Sequence, residues 1–246
     1  MIHDIKPLFD GFPGQTGRGF LGWSSAYLIQ VKGDQTIKSF LYDTGGYNER
    51  KQLSQVLRKH SVKEKEIDGV ILSHLHFDHA VNWTFFPQAT IYIHKAELYP
   101  SDDQFNDIAV PEFHKEALLN NNRLQFVEEN DVIEGMKVIH LPGHTEGLVG
   151  LQIGKRFLVS DAIKNRNEIH NGKLMNTWDE KIARQTILRI MNQAETIYPG
   201  HDIPLTKQQN EWIGTKDATE TIYYAASLVD DTNQDNVTIT IQPFQT

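Results

Sequence analysis

Residues 73–79 hold an unusually dense group of side chains that can bind a metal ion. In this stretch, Ser-His-Leu-His-Phe-Asp-His, those side chains are His74, His76, Asp78 and His79. Histidine is the commonest nitrogen ligand of zinc-like ions, and such an ion takes about four ligands. Residues i and i+2 of a helix point to different sides, so the spacing predicts an extended turn whose side chains converge. The stretch is therefore interpreted as a metal-binding loop.

The elements before this loop are those needed to hold it in place. The apolar run Val70-Ile71-Leu72 predicts a buried strand that ends where the loop begins. Residues 48–60 place Leu53, Val56 and Leu57 on one face, which predicts a helix packed on a sheet. Two further strands, at residues 27–31 and 36–42, precede that helix, and the second leads into Asp43. This order of strand, helix and strand predicts an α/β protein with its ligands at strand ends.

The motif His-x-His-x-Asp-His after an apolar strand resembles the signature of the metallo-β-lactamase-fold superfamily. Three later segments resemble the remaining ligand segments of that superfamily, in the same order. They are Pro142-Gly143-His144-Thr145-Glu146-Gly147, Ser160-Asp161 after the apolar residues 157–159, and Tyr198-Pro199-Gly200-His201. The resemblance extends over residues 74–201.

The resemblance implies a fold and a set of ligands. The fold would be a four-layer αββα sandwich with the metal site at the edge between two mixed sheets. We expect one domain over residues 1–246, with a C-terminal β-hairpin at residues 221–244. Asp43 and Thr145 would support the ligands without binding metal. The implied ligands are His74, His76 and His144 for one metal, Asp78, His79 and His201 for a second, and Asp161 as a bridge between them.

Seven ligands are too many for one tetrahedral ion and suit two divalent ions. Zn²⁺ is the first expectation, with Mn²⁺ or Fe²⁺ as alternatives, and the carboxylates Asp78 and Asp161 would offset part of the metal charge. A water shared by two such ions should ionise near neutral pH. The predicted activity is therefore hydrolysis of a small-molecule ester, lactone or thioester by a metal-bridging hydroxide, with Asp78 and Asp161 as catalytic residues.

Within the superfamily, the sequence resembles the N-acyl homoserine lactonase and glyoxalase II-like branch. Lactonases of that branch carry a tyrosine three residues after the bridging aspartate, where this chain has Lys164. Three alternatives therefore stay open: a phosphodiesterase on the same fold, a mononuclear-iron oxidoreductase of the persulfide dioxygenase type, and a binding module with a structural metal.

Four residues are predicted to contact substrate. Lys164 could pair with an anionic or carbonyl group. Residues 11–23 contain five glycines and one proline, which predicts a mobile lid without regular structure. Phe20 and Leu21 of this lid are expected to touch an apolar part of the substrate, assisted by Trp83 just after the metal loop.

The composition excludes several classes of function. The chain has 24 basic and 32 acidic residues, a net charge of −8, and no run of Lys or Arg that could follow a phosphate backbone. It has no cysteine, so any metal must be held by nitrogen and oxygen. Neither a signal peptide nor a long apolar run is recognisable. We expect a cytoplasmic monomer or homodimer that acts on a small molecule, without nucleic acid or membrane partners.

Two further elements are predicted in the second half of the chain. Thr177 followed by Glu180 has the pattern of a capping box, which predicts a helix with Thr177 as its N-cap. A last helix is expected at residues 206–213, before the C-terminal hairpin.

Overall fold

The computed structural model describes residues 2–17, 19–20, 23–34, 36–102, 107–209, 211–216, 218–223 and 236–241. Leu21, one of the predicted substrate contacts, lies outside the described residues.

The strands alternate with helices along much of the chain. The strands are β1 (Ile2–Phe9), β2 (Gln15–Thr16), β3 (Gly19–Phe20), β4 (Ala26–Lys32), β5 (Ile37–Tyr42), β6 (Gly69–Ile71), β7 (Thr90–His94), β8 (Leu124–Val127), β9 (Val132–Ile133), β10 (Met136–His140), β11 (Val149–Ile153), β12 (Arg156–Ser160), β13 (Thr196–Pro199), β14 (Leu205–Gln208), β15 (Glu211–Gly214), β16 (Ala218–Tyr223) and β17 (Asn236–Ile241). The α-helices are α1 (Arg50–Lys59), α2 (Phe77–Ala80), α3 (Lys95–Leu98), α4 (Glu112–Leu119), α5 (Arg166–Asn171) and α6 (Glu180–Gln193). Short 3₁₀ turns lie at Tyr47–Glu49, Glu64–Glu66, Trp83–Phe85 and Asp161–Ile163.

Two mixed sheets form the centre of the fold. The first has the order β1-β4-β5-β6-β7-β8, and the second has the order β15-β14-β13-β12-β11-β10-β9. In the first sheet β5, β6, β7 and β8 are parallel neighbours, and in the second β12 and β13 are parallel. The carboxyl ends of β6, β12 and β13 lead into predicted ligand segments, and that of β5 leads into Asp43.

The buried apolar side chains form three layers of packing. The first lies between the outer face of the first sheet and α1, where Leu53 and Leu57 are buried. The second lies between the two sheets and includes Ile29, Tyr42, Val138 and Leu151. The third lies between the second sheet and α6 and includes Phe157, Ile187 and Ile190.

Neighbouring residues of one strand belong to different layers because side chains alternate across a sheet. Leu28 and Val70 pack towards α1, whereas Ile29 and Ile71 pack between the sheets. The predicted αββα sandwich is confirmed by this order of helix, sheet, sheet and helix.

Two predictions for the second half of the chain differ from the structure. The helix expected at residues 206–213 is wrong, since β14 and β15 form an antiparallel hairpin on the edge of the second sheet. Gln209, at its turn, has a φ of +55°, which a helix does not allow. The N-cap expected at Thr177 is Asp179, whose Oδ1 accepts from the backbone N of Ile182 at 2.9 Å.

Residues 11–23 contain regular structure, contrary to the prediction. Gln15–Thr16 pairs with Gly19–Phe20, and Phe12 forms an isolated β-bridge with Trp23. The described residues of the predicted loop therefore contain a short β-hairpin, which lies in the chain between β1 and β4 of the first sheet. At the C-terminus, Ala218–Tyr223 pairs antiparallel with Asn236–Ile241, so the first of these strands begins three residues before the predicted hairpin at 221–244.

No helix in the described part of the chain combines the length and apolarity required to cross a membrane.

Candidate metal centre

The metal-binding loop follows β6 and has two parts. His74 lies in a segment without regular secondary structure, and His76 is the N-cap of α2, which carries Asp78 and His79. The extended turn predicted for the loop is therefore wrong for its second half, which is helical. The loop nevertheless brings its imidazoles together, since the ring centroid of His74 lies 4.5 Å from that of His76 and 4.3 Å from that of His79.

The other predicted ligands come from the second sheet. His144 lies in the turn after β10, Asp161 directly follows β12, and His201 follows β13. Ser160, the last residue of β12, has a φ of +45° and a ψ of −133°, a sparsely populated conformation that redirects the chain at Asp161. Such conformations persist where the surrounding structure holds them, and they concentrate at functional sites.

The structure brings six of the seven predicted ligands into two adjoining clusters of three. The first cluster is His74, His76 and His144, and the second cluster is Asp78, His79 and His201. In each cluster the atoms able to bind metal lie within 4.8 Å of one another.

Asp161 lies between the two clusters and presents a different oxygen to each. Its Oδ2 is 3.3 Å from Nε2 of His144, in the first cluster. Its Oδ1 is 3.3 Å from Nε2 of both His79 and His201, in the second cluster. A carboxylate in this position can bind two cations at once.

The donor atoms of the clusters fit divalent metal ions. Among the described residues, Nε2 of His74, Nε2 of His79 and Oδ1 of Asp161 are buried without a hydrogen-bond partner. Burying a polar atom without a partner costs free energy, and a bound cation is one way to satisfy it. Five imidazoles and two carboxylates form a nitrogen and oxygen ligand set of the kind that zinc accepts.

Each histidine has a partner on the side of its ring that faces away from the other ligands. Such partners fix which nitrogen carries the proton and leave the other free for metal. The contacts are His74 Nδ1 with Ser73 Oγ (2.9 Å), His79 Nδ1 with Asp43 Oδ2 (3.0 Å), His144 Nδ1 with the Asn176 carbonyl (2.7 Å), His201 Nδ1 with the Trp23 carbonyl (2.9 Å) and His76 Nε2 with Asp107 Oδ2 (2.8 Å).

Asp43 contacts the predicted ligand segments from behind the clusters. Its carboxylate accepts from the backbone N and Oγ of Ser73 at 2.8 Å each, and from Oγ of Ser160 at 2.9 Å. It also lies 3.0 Å from Nδ1 of His79. One buried carboxylate therefore joins the metal-binding loop of the first sheet to the end of β12 in the second.

The carboxylates near the second cluster raise the pKa values of its histidines. Burial favours neutral His79, but the negative charges of Asp161 and Asp78 outweigh it and hold the pKa of His79 well above its usual 6.5. The pKa of His201 is raised in the same way, because Asp161 and Asp78 together outweigh burial. Burial opposes ionisation of Asp161, yet His201 and His79 hold its pKa well below the usual range. The carboxylates of this cluster thus require positive charge next to them, either protons or metal.

His74 and His144 of the first cluster favour the neutral imidazole, which is the form that binds metal. Burial, followed by repulsion from His79, holds the pKa of His74 well below 6.5. Burial and the charge of Lys164 do the same for the pKa of His144. These two ligands therefore need not release a proton when a metal binds near neutral pH.

Lys164 lies at the first cluster and is not a solvated surface residue. Its Nζ is 2.8 Å from Nδ1 of His144 and 3.8 Å from Oδ2 of Asp161, and its side chain is 12% exposed. Both backbone polar groups of Lys164 form hydrogen bonds. Its N donates to Oε2 of Glu168, and its carbonyl accepts from the N of His201. The chain thus places a cation where the resembling lactonases have a tyrosine.

The predicted apolar contacts separate into one at the clusters and one in the core. The ring of Phe20 packs edge-on against His201, with centroids 5.2 Å apart, and the residue is 47% exposed. Trp83 instead belongs to the core beneath the first sheet and is 6% exposed, so it is corrected from a substrate contact to a packing residue. Phe77, which the sequence reasoning missed, is an exposed aromatic within the metal-binding loop itself.

Glu97 is a further residue that sequence reasoning missed. This buried carboxylate accepts from the backbone N of Leu75 and of Gly147 at 3.0 Å each, and from Oγ1 of Thr145 at 2.5 Å. Through Thr145, it therefore joins the segment carrying His74 to the segment that follows His144. Its position on α3, after the end of β7, is the sequence signal that could have drawn attention to it.

A buried ion pair holds the segment that carries His201. Arg166 donates through Nη2 to Oδ1 of Asp202 at 2.6 Å and through Nε to Oδ2 at 2.8 Å. Both side chains are buried. Asp202 directly follows His201, and Arg166 is the first residue of α5, so the pair ties the end of β13 to the region after Asp161.

Comparisons with known proteins agree with this geometry. The chain is 27% identical to an N-acyl homoserine lactonase of a Bacillus species over 165 residues, which cover 63% of this chain and 64% of the relative. It is 28% identical to a probable metallo-hydrolase of Methanocaldococcus jannaschii over 144 residues, covering 58% of this chain and 60% of the relative. The matched segment therefore spans less than two thirds of the length of these relatives.

Solved structures share the fold at lower identity. A structure described as a putative metallo-beta-lactamase from Thermotoga maritima has a TM-score of 0.66 at 18% identity, covering 83% of this chain and 99% of that one. An N-acyl homoserine lactone hydrolase, solved with N-hexanoyl-L-homoserine at its catalytic metal centre, has a TM-score of 0.62 at 19% identity, covering 86% and 98%. The family model described as the metallo-beta-lactamase superfamily matches residues 21–201, which is most of the chain. The chain belongs to the metallo-beta-lactamase superfamily.

Proposed function

We propose that this protein is a dinuclear metallohydrolase that cleaves a small-molecule lactone or ester carrying an apolar acyl group. The observation that carries the proposal is the position of Asp161, whose two oxygens face two separate clusters of ligands. A structural metal usually has one closed shell of four ligands, and a second cluster has no purpose there. The second cluster likewise argues against the mononuclear-iron alternative.

In this proposal the first cluster holds one metal, the second cluster holds another, and Asp161 binds both. Zn²⁺ is the first candidate, with Mn²⁺ or Fe²⁺ as alternatives. When bound, two such ions supply Lewis acidity and lower the pKa of a coordinated water to about 7, which provides a nucleophile at neutral pH. Asp78 and Asp161 contribute negative charge that offsets the metals, and Asp43 and Thr145 keep the ligand segments in place.

Two exposed aromatic residues support an apolar acyl group as part of the substrate. Phe20 packs on His201 from the hairpin at residues 11–23, and Phe77 belongs to the metal-binding loop. An exposed apolar surface rimmed by polar residues is a feature of ligand-binding grooves. The relatives described as N-acyl homoserine lactonases act on a substrate with an acyl chain, which is consistent with this arrangement.

Lys164 would orient the polar end of the substrate. Its ammonium, beside His144 and Asp161, can donate to an acyl oxygen or to a carboxylate. A lysine is a stronger partner for an anionic group than the tyrosine that lactonases have at this position. We therefore include carboxylate-bearing esters among the substrates to be tested.

The test is a substrate panel with the zinc-loaded protein. N-acyl homoserine lactones of increasing chain length, acyl thioesters, carboxylate-bearing esters and a phosphodiester are assayed for the wild type and for Phe20→Ser. We expect the wild type to hydrolyse lactones or esters. In Phe20→Ser, kcat/KM should fall by up to about fourfold for each methylene of the acyl chain that the ring of Phe20 covers. Phe126→Ser, at another exposed phenylalanine on β8, is the control and should leave chain-length dependence unchanged. Absence of hydrolysis of every carboxylic substrate would refute the proposal, and cleavage of the phosphodiester alone would establish the alternative.

A further inference from the structure

Residues 107–110, which follow α3, contact the metal-binding loop at two adjacent residues. Oδ2 of Asp107 lies 2.8 Å from Nε2 of His76, and the backbone N of Phe77 donates to the carbonyl of Ala109 at 2.9 Å. The segment is itself held as a turn, because Oδ1 of Asp107 accepts from the N of Ala109 and its carbonyl accepts from the N of Val110, both at 3.0 Å. A turn anchored in this way presents a carboxylate to one ligand of the first cluster.

His76 is turned opposite to the other four imidazoles. In those four histidines the outer partner contacts Nδ1. In His76 the outer partner contacts Nε2, and Nδ1 faces the first cluster at 3.0 Å from Nε2 of His144. An imidazole that donates a proton from one nitrogen offers a lone pair on the other. The acceptor at Nε2 therefore decides whether the nitrogen that faces the cluster is able to bind metal.

The outer partner of His76 is a carboxylate, as it is for His79, but it is more exposed. His144 and His201 face backbone carbonyls and His74 faces the hydroxyl of Ser73, whereas the carboxylate opposite His79 is 1% exposed. The side chains of His76 and Asp107 are 12% and 24% exposed, so water can compete for Nε2 of His76. A negatively charged acceptor at this position both keeps the ring in place and raises the basicity of the nitrogen that faces the cluster.

We infer that Asp107 is a positioning residue for the first metal, acting through the orientation and basicity of His76. The inference rests on the metal centre of the proposed function and is independent of which substrate is cleaved. It assigns a role to a segment whose sequence carries no metal-binding motif.

The test is a zinc titration of the metal-free protein in competition with a chelating indicator. Asp107→Asn keeps the shape of the side chain and removes its charge, so it should weaken one zinc dissociation constant by about 10 to 100-fold and leave the other unchanged. Asp107→Glu, which restores the charge, should recover part of that affinity. Glu116→Gln, which removes an exposed carboxylate from α4, is the control and should bind zinc as the wild type does.

Two backgrounds assign the effect to one cluster. In His201→Ala, which lacks a ligand of the second cluster, adding Asp107→Asn should weaken the remaining site by the same factor. In His76→Ala, Asp107→Asn should add no further loss, because the residue through which Asp107 acts is gone. An unchanged zinc titration in Asp107→Asn, or an equal further loss in His76→Ala, would overturn the inference. Failure of the proposed function would appear instead as absent hydrolysis with these zinc affinities intact.

Discussion

Gly200 is the position where the smallest change should do the most damage to the metal centre. A Cβ built on Gly200 would lie 1.9 Å from Oδ1 of Asp161 and 3.0 Å from its Cγ. Contacts of a Cβ closer than 3.0 Å are essentially never seen, so in Gly200→Ala the oxygen or the backbone would have to move by about 1.1 Å, from 1.9 Å to 3.0 Å. Two backbone hydrogen bonds oppose movement of this segment. The N of Gly200 donates to the carbonyl of Ser160, and the N of His201 donates to the carbonyl of Lys164.

The expected loss of activity follows from how little displacement a catalytic group tolerates. Catalytic groups must be held within about 0.5 Å, and a misplacement of about 1 Å can cost on the order of 100-fold in rate. Gly200→Ala should therefore reduce kcat by about 100-fold and lower zinc stoichiometry. Overpacking of this kind costs about 1–3 kcal/mol, which corresponds to a decrease of about 2–12 °C in melting temperature for a chain of this size.

The assay combines elemental analysis, turnover and thermal unfolding, with Gly33→Ala as the matched control. A Cβ on Gly33 would meet its nearest neighbours, the O and Oγ1 of Thr36, at 3.6 Å, which is ordinary contact. That variant should keep wild-type metal content and turnover. Wild-type zinc affinity and turnover in Gly200→Ala would show that Asp161 does not need its present position, and the reasoning would be refuted.

Three further predictions concern the surroundings of the ligands. Arg166→Met leaves Asp202 buried and unpaired, so unfolding should become easier by about 3–5 kcal/mol; an unchanged melting temperature would contradict this. Lys164→Met should raise KM for a carboxylate-bearing substrate by about 10 to 100-fold with metal content intact, and unchanged KM would remove Lys164 from substrate binding. The raised pKa values of His79 and His201 mean that the folded metal-free chain holds more protons than the unfolded chain above a pH of about 6.5, so its stability falls as pH rises towards those values. Zinc replaces these protons, so the increase in the protein's melting temperature on zinc binding should be larger at about pH 8 than at about pH 6. An increase independent of pH would contradict the raised pKa values.

The metal-binding loop could be predicted because its chemistry is local. Four potential ligands within six residues leave little choice of partners, and the resemblance to one superfamily placed His144, Asp161 and His201 in order. The contacts that orient these ligands could not be predicted in the same way. Asp107 and Glu97 meet the loop across 31 and 22 residues of chain, and nothing in the local sequence of either marks the partner.

The errors in secondary structure have a common physical cause. Residues 206–213 have no strong pattern of their own, and pairing with β13 at the edge of the second sheet determines that they form a hairpin. Residues 11–23 are rich in glycine, yet Phe12 and Trp23 pair and their rings lie 5.4 Å apart, which stabilises the base of the hairpin. Trp83 was assigned to the cleft from its distance along the chain, although the turn after α2 directs it into the core. Tertiary contacts decided each of these cases.

Two metals that share Asp161 are the central feature proposed for this site, and counting metal ions per chain tests it directly. The wild type and Asp161→Asn are reconstituted with zinc, freed of excess metal and measured by elemental analysis together with protein concentration. A neutral amide cannot bridge two cations as a carboxylate does, so we predict two ions per chain in the wild type and a value approaching one in Asp161→Asn. One ion in the wild type, or two in both proteins, would contradict the dinuclear centre.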